Sequence, residues 1–127
     1  MKRPFSRLAR LSPQALRLAK PARNPAVEET VEAGVTILRG PAVLKGLLGK
    51  LVARASSQPV IRQFELEEIG AFVWSLIDGR RNFDALSKQL QRKYKMNPAE
   101  ADASLAAFLK MLADRGLITL LVKDVLS

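Results

Sequence analysis

Phe64–Leu86, FELEEIGAFVWSLIDGRRNFDAL, decides the fold, together with ASLAAFLKMLADRGLI at Ala103–Ile118. In the first stretch Ile69, Phe72, Val73, Leu76 and Ile77 recur at i, i+3, i+4, i+7 and i+8, the stripe of a helix with one buried face. Asp78-Gly79 stops that helix, because glycine enters the left-handed backbone region without steric cost. Asn82 suits the cap of a second helix whose stripe is Phe83, Leu86, Leu90 and Tyr94. A third opens on Asn97-Pro98-Ala99-Glu100: a capping Asn, a proline at the first helical position and a glutamate placed for a capping box. Ala101, Leu105, Phe108, Leu109 and Leu112 face its core, and Gly116-Leu117 fits a Schellman ending. Three short helices with signalled junctions and no reactive cluster describe a module that holds a partner.

Upstream of the helices the pattern shortens to period two. Between Val27 and Arg39 the chain reads as two extended runs around Ala33-Gly34, a hairpin, and Gly40-Pro41 then breaks it. Val60–Phe64 reads as a further strand and Ile118–Val122 as a last short one. Residues 42–55, AVLKGLLGKLVARA, place Leu44, Leu47, Leu48, Leu51 and Val52 on one helical arc and cations on the other. Gly46 and Gly49 weaken that helix by about 1 kcal/mol each. Two readings stand for it: a segment packed on the domain, or a surface that docks on a membrane or a partner.

Two features lie outside this core. Trp74 sits off the centre of the first stripe, near Gly70, and is expected to pack against the strands. On the back of the third helix Ala99, Ala103, Ala106 and Lys110 form one line, with Ala107 at its border. Alanines there are either simple helix formers or a low shelf on which another backbone can lie.

Composition removes most chemistry. The 127 residues are enough for one domain, and they include no cysteine and no histidine. The commonest general base near neutral pH, the thiolate nucleophile and the commonest transition-metal ligand are all missing. An enzyme is therefore not expected, and neither a metal nor a cofactor is.

The formal charge of +9 is unevenly spread. Lys2, Arg3, Arg7, Arg10, Arg17, Lys20 and Arg23 stand in the first 26 residues without a single acid, while residues 63–127 are neutral. Residues 1–23 thus read as a basic flexible extension, and residues 24–127 as the folded domain. No uninterrupted apolar core of a secretory signal is present, nor a run near the ~20 apolar residues that cross a bilayer, so a cytoplasmic location is expected.

Strand pieces, then three helices, then a hydrophobic return resemble a winged helix-turn-helix: an α+β fold with a small antiparallel sheet of about three strands and a three-helix bundle. More specifically, the Glu-Leu lead-in at residues 65–66, Gly70, Val73-Trp74, Asp78-Gly79, Phe108-Leu109 and Arg115-Gly116-Leu117 resemble the PqqD family. This is the pyrroloquinoline quinone biosynthesis protein D group, also called the precursor-peptide (RiPP) recognition element. The resemblance covers roughly residues 24–120. It implies a non-catalytic peptide chaperone that binds the leader part of a precursor peptide and presents it to a modifying enzyme, often a radical SAM protein. The peptide adds as a strand to a sheet edge and lies beside the third helix. Carried over, the receiving edge is Val60, Ile61, Arg62, Gln63 and Phe64, and the opposite wall is Ala103, Ala106, Ala107 and Lys110. The chain departs from the family pattern at Glu67, where Asn or Asp is common, in an insertion over residues 40–58, and in the basic tail.

Two other functions compete. A DNA-binding winged helix needs cations at the start of its recognition helix, where this chain carries Glu100 and Asp102, so nucleic acid is disfavoured. A membrane or protein assembly factor would use residues 1–54, through peripheral contact of the cationic segments. An uncovered sheet edge also leaves room for a homodimer.

Overall fold

The structure, a computed structural model, describes residues 12–41 and 61–122. In chain order these form α1 (Pro13–Leu18), β1 (Lys20–Arg23), β2 (Glu28–Glu32), β3 (Val35–Pro41), β4 (Ile61–Leu66), α2 (Glu68–Leu76), α3 (Phe83–Tyr94), α4 (Pro98–Asp114) and β5 (Ile118–Leu121).

Local chemistry closes each element. The β2–β3 turn puts Ala33 at φ 51° and Gly34 at φ 79°, the paired left-handed residues of a type I′ hairpin. Glycine is at ease there; alanine is strained. Asn82 Oδ1 accepts the Ala85 N–H at 2.9 Å and Asn97 Oδ1 that of Glu100 at 2.8 Å, so both expected caps form. Glu67 stands at the start of α2 without a side-chain cap bond. At the end of α4 the N–H of Leu117 reaches Leu112 O at 2.9 Å and that of Gly116 reaches Ala113 O at 3.0 Å. With Gly116 at φ 71°, that is the Schellman ending.

The strands divide into an antiparallel sheet of order β2-β3-β4 and a separate antiparallel pair, β1-β5. Leu38 of β3 is fully buried against the helices, where Val73, Trp74, Leu86, Leu90, Leu105 and Leu109 fill one core. The buried line of α2 is rotated from the expected stripe: Val73 and Trp74 are inside while Ile69 is exposed. Trp74 packs towards the strands as expected. Its Nε1 donates to Glu29 Oε1 at 2.9 Å, and the Arg23 guanidinium lies 4.6 Å from its ring centroid.

The boundary at residue 23 is corrected. Residues 12–23 are not a flexible extension but part of the fold. Ser12 caps α1, Ala19 and Pro21 are buried, and Ala19 O and Pro21 O accept the N–H groups of Phe83 (2.8 Å) and Gly79 (3.0 Å). Strand β1 pairs with β5 from Lys20↔Leu121 to Arg23↔Ile118. Two of the tail's cations are spent inside the molecule: Arg17 binds Asp84 at 2.9 Å and also Asp102, and Arg23 binds Trp74 O and Glu29. Residues 1–11, the amphipathic run at 42–55, most of the 40–58 insertion and Val60 lie outside the described residues.

Candidate functional site

Register decides which backbone groups β4 offers. A two-residue turn closes on a hydrogen-bonded pair, here Glu32↔Val35. By strict alternation Val35, Ile37 and Arg39 turn their N–H and C=O groups towards β2, and Thr36, Leu38 and Gly40 turn theirs towards β4. The β4 partners of the latter three are Leu66, Phe64 and Arg62. Ile61, Gln63 and Glu65 therefore present their backbone on the far side, where no strand pairs with β4 among the described residues. Pro41 fits this assignment: it lies opposite Ile61, on a rung that needs no donor from it.

At the Glu65 end of that edge lies a cleft of about 400 Å³, with Leu66, Val73, Leu90 and Leu105 at its floor. Its second wall is the line Ser104, Phe108 and Met111 on α4. These residues recur at i, i+4 and i+7, a stripe continued by Arg115, whose guanidinium stacks 4.9 Å from the Phe64 ring centroid. Ile69 and Gly70 of α2 close one end. A β-carbon on Gly70 would stand 2.9 Å from Phe108 Cε1, so only glycine lets the ring take this position undisturbed. Glu65 and Glu67 line the mouth and are exposed.

The residues named from sequence divide in two. Ile61, Arg62, Gln63 and Phe64 do lie on the edge strand. The alanine line is displaced from the cleft: Ala103, Ala107 and Lys110 are exposed, Ala106 packs half-buried against the core, and none of the four lines the cavity. At 100° per residue that line sits about a third of a turn from the Ser104–Phe108–Met111 wall. Sequence reasoning did not single out Ser104 and Met111, which line the cavity, and assigned Phe108 to the core alone. Their spacing with Arg115, and a lone glycine inside α2, were the available signals.

The lining of the cleft is mostly apolar. Glu65, Glu67 and Ser104 are the polar residues in its lining, and Ser104 has no base bonded to it among the described residues. Elsewhere, at the start of α4, Asp102 accepts from Ser87 Oγ at 2.5 Å and pairs with Arg17, and Glu100 adds a second acid; the end of the helix that would enter a DNA groove is anionic. Among the described residues no group of three or more His, Cys, Asp or Glu could hold a metal ion, and no helix is long and apolar enough to cross a membrane.

Residues 60–118 match the family model described as Coenzyme PQQ synthesis protein D (PqqD). That span runs from β4 through α4, so both walls of the cleft fall inside it, and the resemblance read from sequence is borne out there. A solved structure, TbiB1 in complex with the TbiA(beta) leader peptide, is similar in fold at a TM-score of 0.54 and 18% identity. The likeness covers 76% of this chain and 93% of that one. The fold is thus the expected winged-helix-like α+β arrangement, with the β1-β5 pair in addition. No curated protein matches the chain.

Proposed function

We propose that this PqqD-like chain captures the leader segment of a precursor peptide as an added strand on β4, with α4 as the second wall. One observation carries the reading: the outward backbone groups of Ile61, Gln63 and Glu65 form a rim whose Glu65 end lines an apolar cleft, so an extended chain bonded to the rim can bury a side chain at that end. The likeness to TbiB1, whose solved structure holds a leader peptide, supports it. The role is binding without catalysis, and the captured peptide is handed to a modifying enzyme, for which the family resemblance suggests a radical SAM protein. A second copy pairing on β4 would compete with the peptide for the same backbone groups.

Gln63→Pro tests the reading, because it deletes an outward donor and leaves the β3–β4 ladder intact. Peptides selected by the full chain from a displayed random dodecapeptide library should lose most of their affinity for this variant, with far-UV circular dichroism unchanged. Undiminished affinity would rule out strand addition at β4.

A further inference from the structure

We infer that the cleft selects peptides in which a large apolar residue has a lysine or arginine as its immediate neighbour. The inference rests on the strand-addition reading and adds the chemistry of the occupant. Phe64 and Leu66 turn inwards on β4, and Gln63 and Glu65 turn outwards and are exposed. An added strand obeys the same alternation, so its residue entering the space beside Leu66 and Phe108 is flanked in sequence by residues on Glu65's face. The peptide residue opposite Glu65 is thus next in sequence to the apolar anchor. Glu67, one step past the strand, extends the same negative mouth.

Neither glutamate has an ion-pair partner among the described residues, whereas Glu29, Asp78 and Asp102 each have one and Asp84 has two. Arg115, the cation at the far end, is already stacked on Phe64 and does not line the cavity. The local preference is opposite in sign to that of the whole molecule, whose +9 charge favours acidic peptides at long range. Salt separates the two, since it screens the long-range field more strongly than a contact pair.

The test is selection from the same displayed random dodecapeptide library on full-length chain, at low and at high salt. Selected peptides should be enriched in Lys or Arg directly beside an aliphatic or aromatic residue, most clearly at high salt. The E65K/E67K variant should turn that enrichment towards Asp and Glu. A labelled selected peptide should bind E65Q/E67Q about threefold to tenfold more weakly, as expected for two opposite-charge cross-strand contacts. Peptides that lose binding on Gln63→Pro yet show no basic neighbour, and do not respond to E65K/E67K, would overturn the charge rule and leave the cleft standing. Peptides that ignore Gln63→Pro would bring down both.

Discussion

The Phe108 ring occupies the space that a side chain on Gly70 would need, with Cε1 2.9 Å from the position of the missing β-carbon. Helix α2 accepts a glycine in its first turn, at a cost of up to about 1 kcal/mol relative to alanine, and α4 carries an aromatic wall there. Gly70→Ala should therefore push the ring into the cleft while restoring helix propensity. Thermal melting should stay within a few degrees of the parent, and fluorescence anisotropy should show peptide affinity reduced by about tenfold (~1.4 kcal/mol).

The displacement of the alanine line gives a paired test. Ser104→Arg plants a long cation in the cavity wall and should abolish peptide capture. Ala107→Arg places the same side chain on an exposed position outside the lining and should leave capture near the parental level. Calorimetry on both variants distinguishes them; equal losses would return the site to the alanine face.

Removing residues 1–23 should now cost stability rather than merely charge. The deletion strips β1 from β5, exposes Ile118 and Leu120, and leaves Asp84 and Asp102 without Arg17. Arg17→Ala alone should cost about 1 kcal/mol, since its ion pairs are partly exposed, and that loss should shrink at high salt. Urea denaturation reads both effects.

Trp74 is the single tryptophan, so its emission reports the core directly. Glu29→Ala should leave the buried indole N–H without its acceptor, at a cost of about 1–3 kcal/mol. Glu29→Gln keeps an acceptor and should cost less. In each the folded emission should remain blue-shifted, and the denaturant midpoint should move.

Among the described residues two carboxyls sit below the usual carboxylate value. Backbone N–H groups of Arg81 and Arg80 hold Asp78 down, with the charge of Arg81 adding, and hydrogen bonding and charge from Lys88 lower Asp84, with Arg17 contributing. A depressed carboxyl favours the fold while ionised. Its contribution is complete above the unfolded value near pH 4 and is lost as pH falls through the folded one. With no histidine to titrate, stability should be flat from about pH 5 to 8 and fall steeply below about pH 4. Asp78→Asn should soften that acid limb in urea titrations.

Much of this architecture was legible because it rests on local chemistry. Ala33-Gly34, Asn82, Asn97-Pro98 and Gly116-Leu117 each act within a few residues of themselves, and each forms the turn, cap or ending that its type dictates. The N-terminal segment was misread because its evidence is non-local: Pro21 and Ala19 look like linker residues until Gly79 and Phe83 donate to their carbonyls. Ser12-Pro13 was a legible start signal for α1, masked by the density of cations. The edge strand was legible and the lining of the cleft beside it was not, because periodicity shows which face of α4 is apolar but not how α4 is phased against β4. Phe108 sits at the margin of the core stripe and serves both.

The pairing of Lys20 with Leu121 joins positions about a hundred residues apart, the longest kind of contact for a chain this size to make. On a translating ribosome β1 waits for its partner β5 to emerge, whereas β4 and α4 are both in place earlier. The two walls of the cleft can therefore come together before β1 and β5 do.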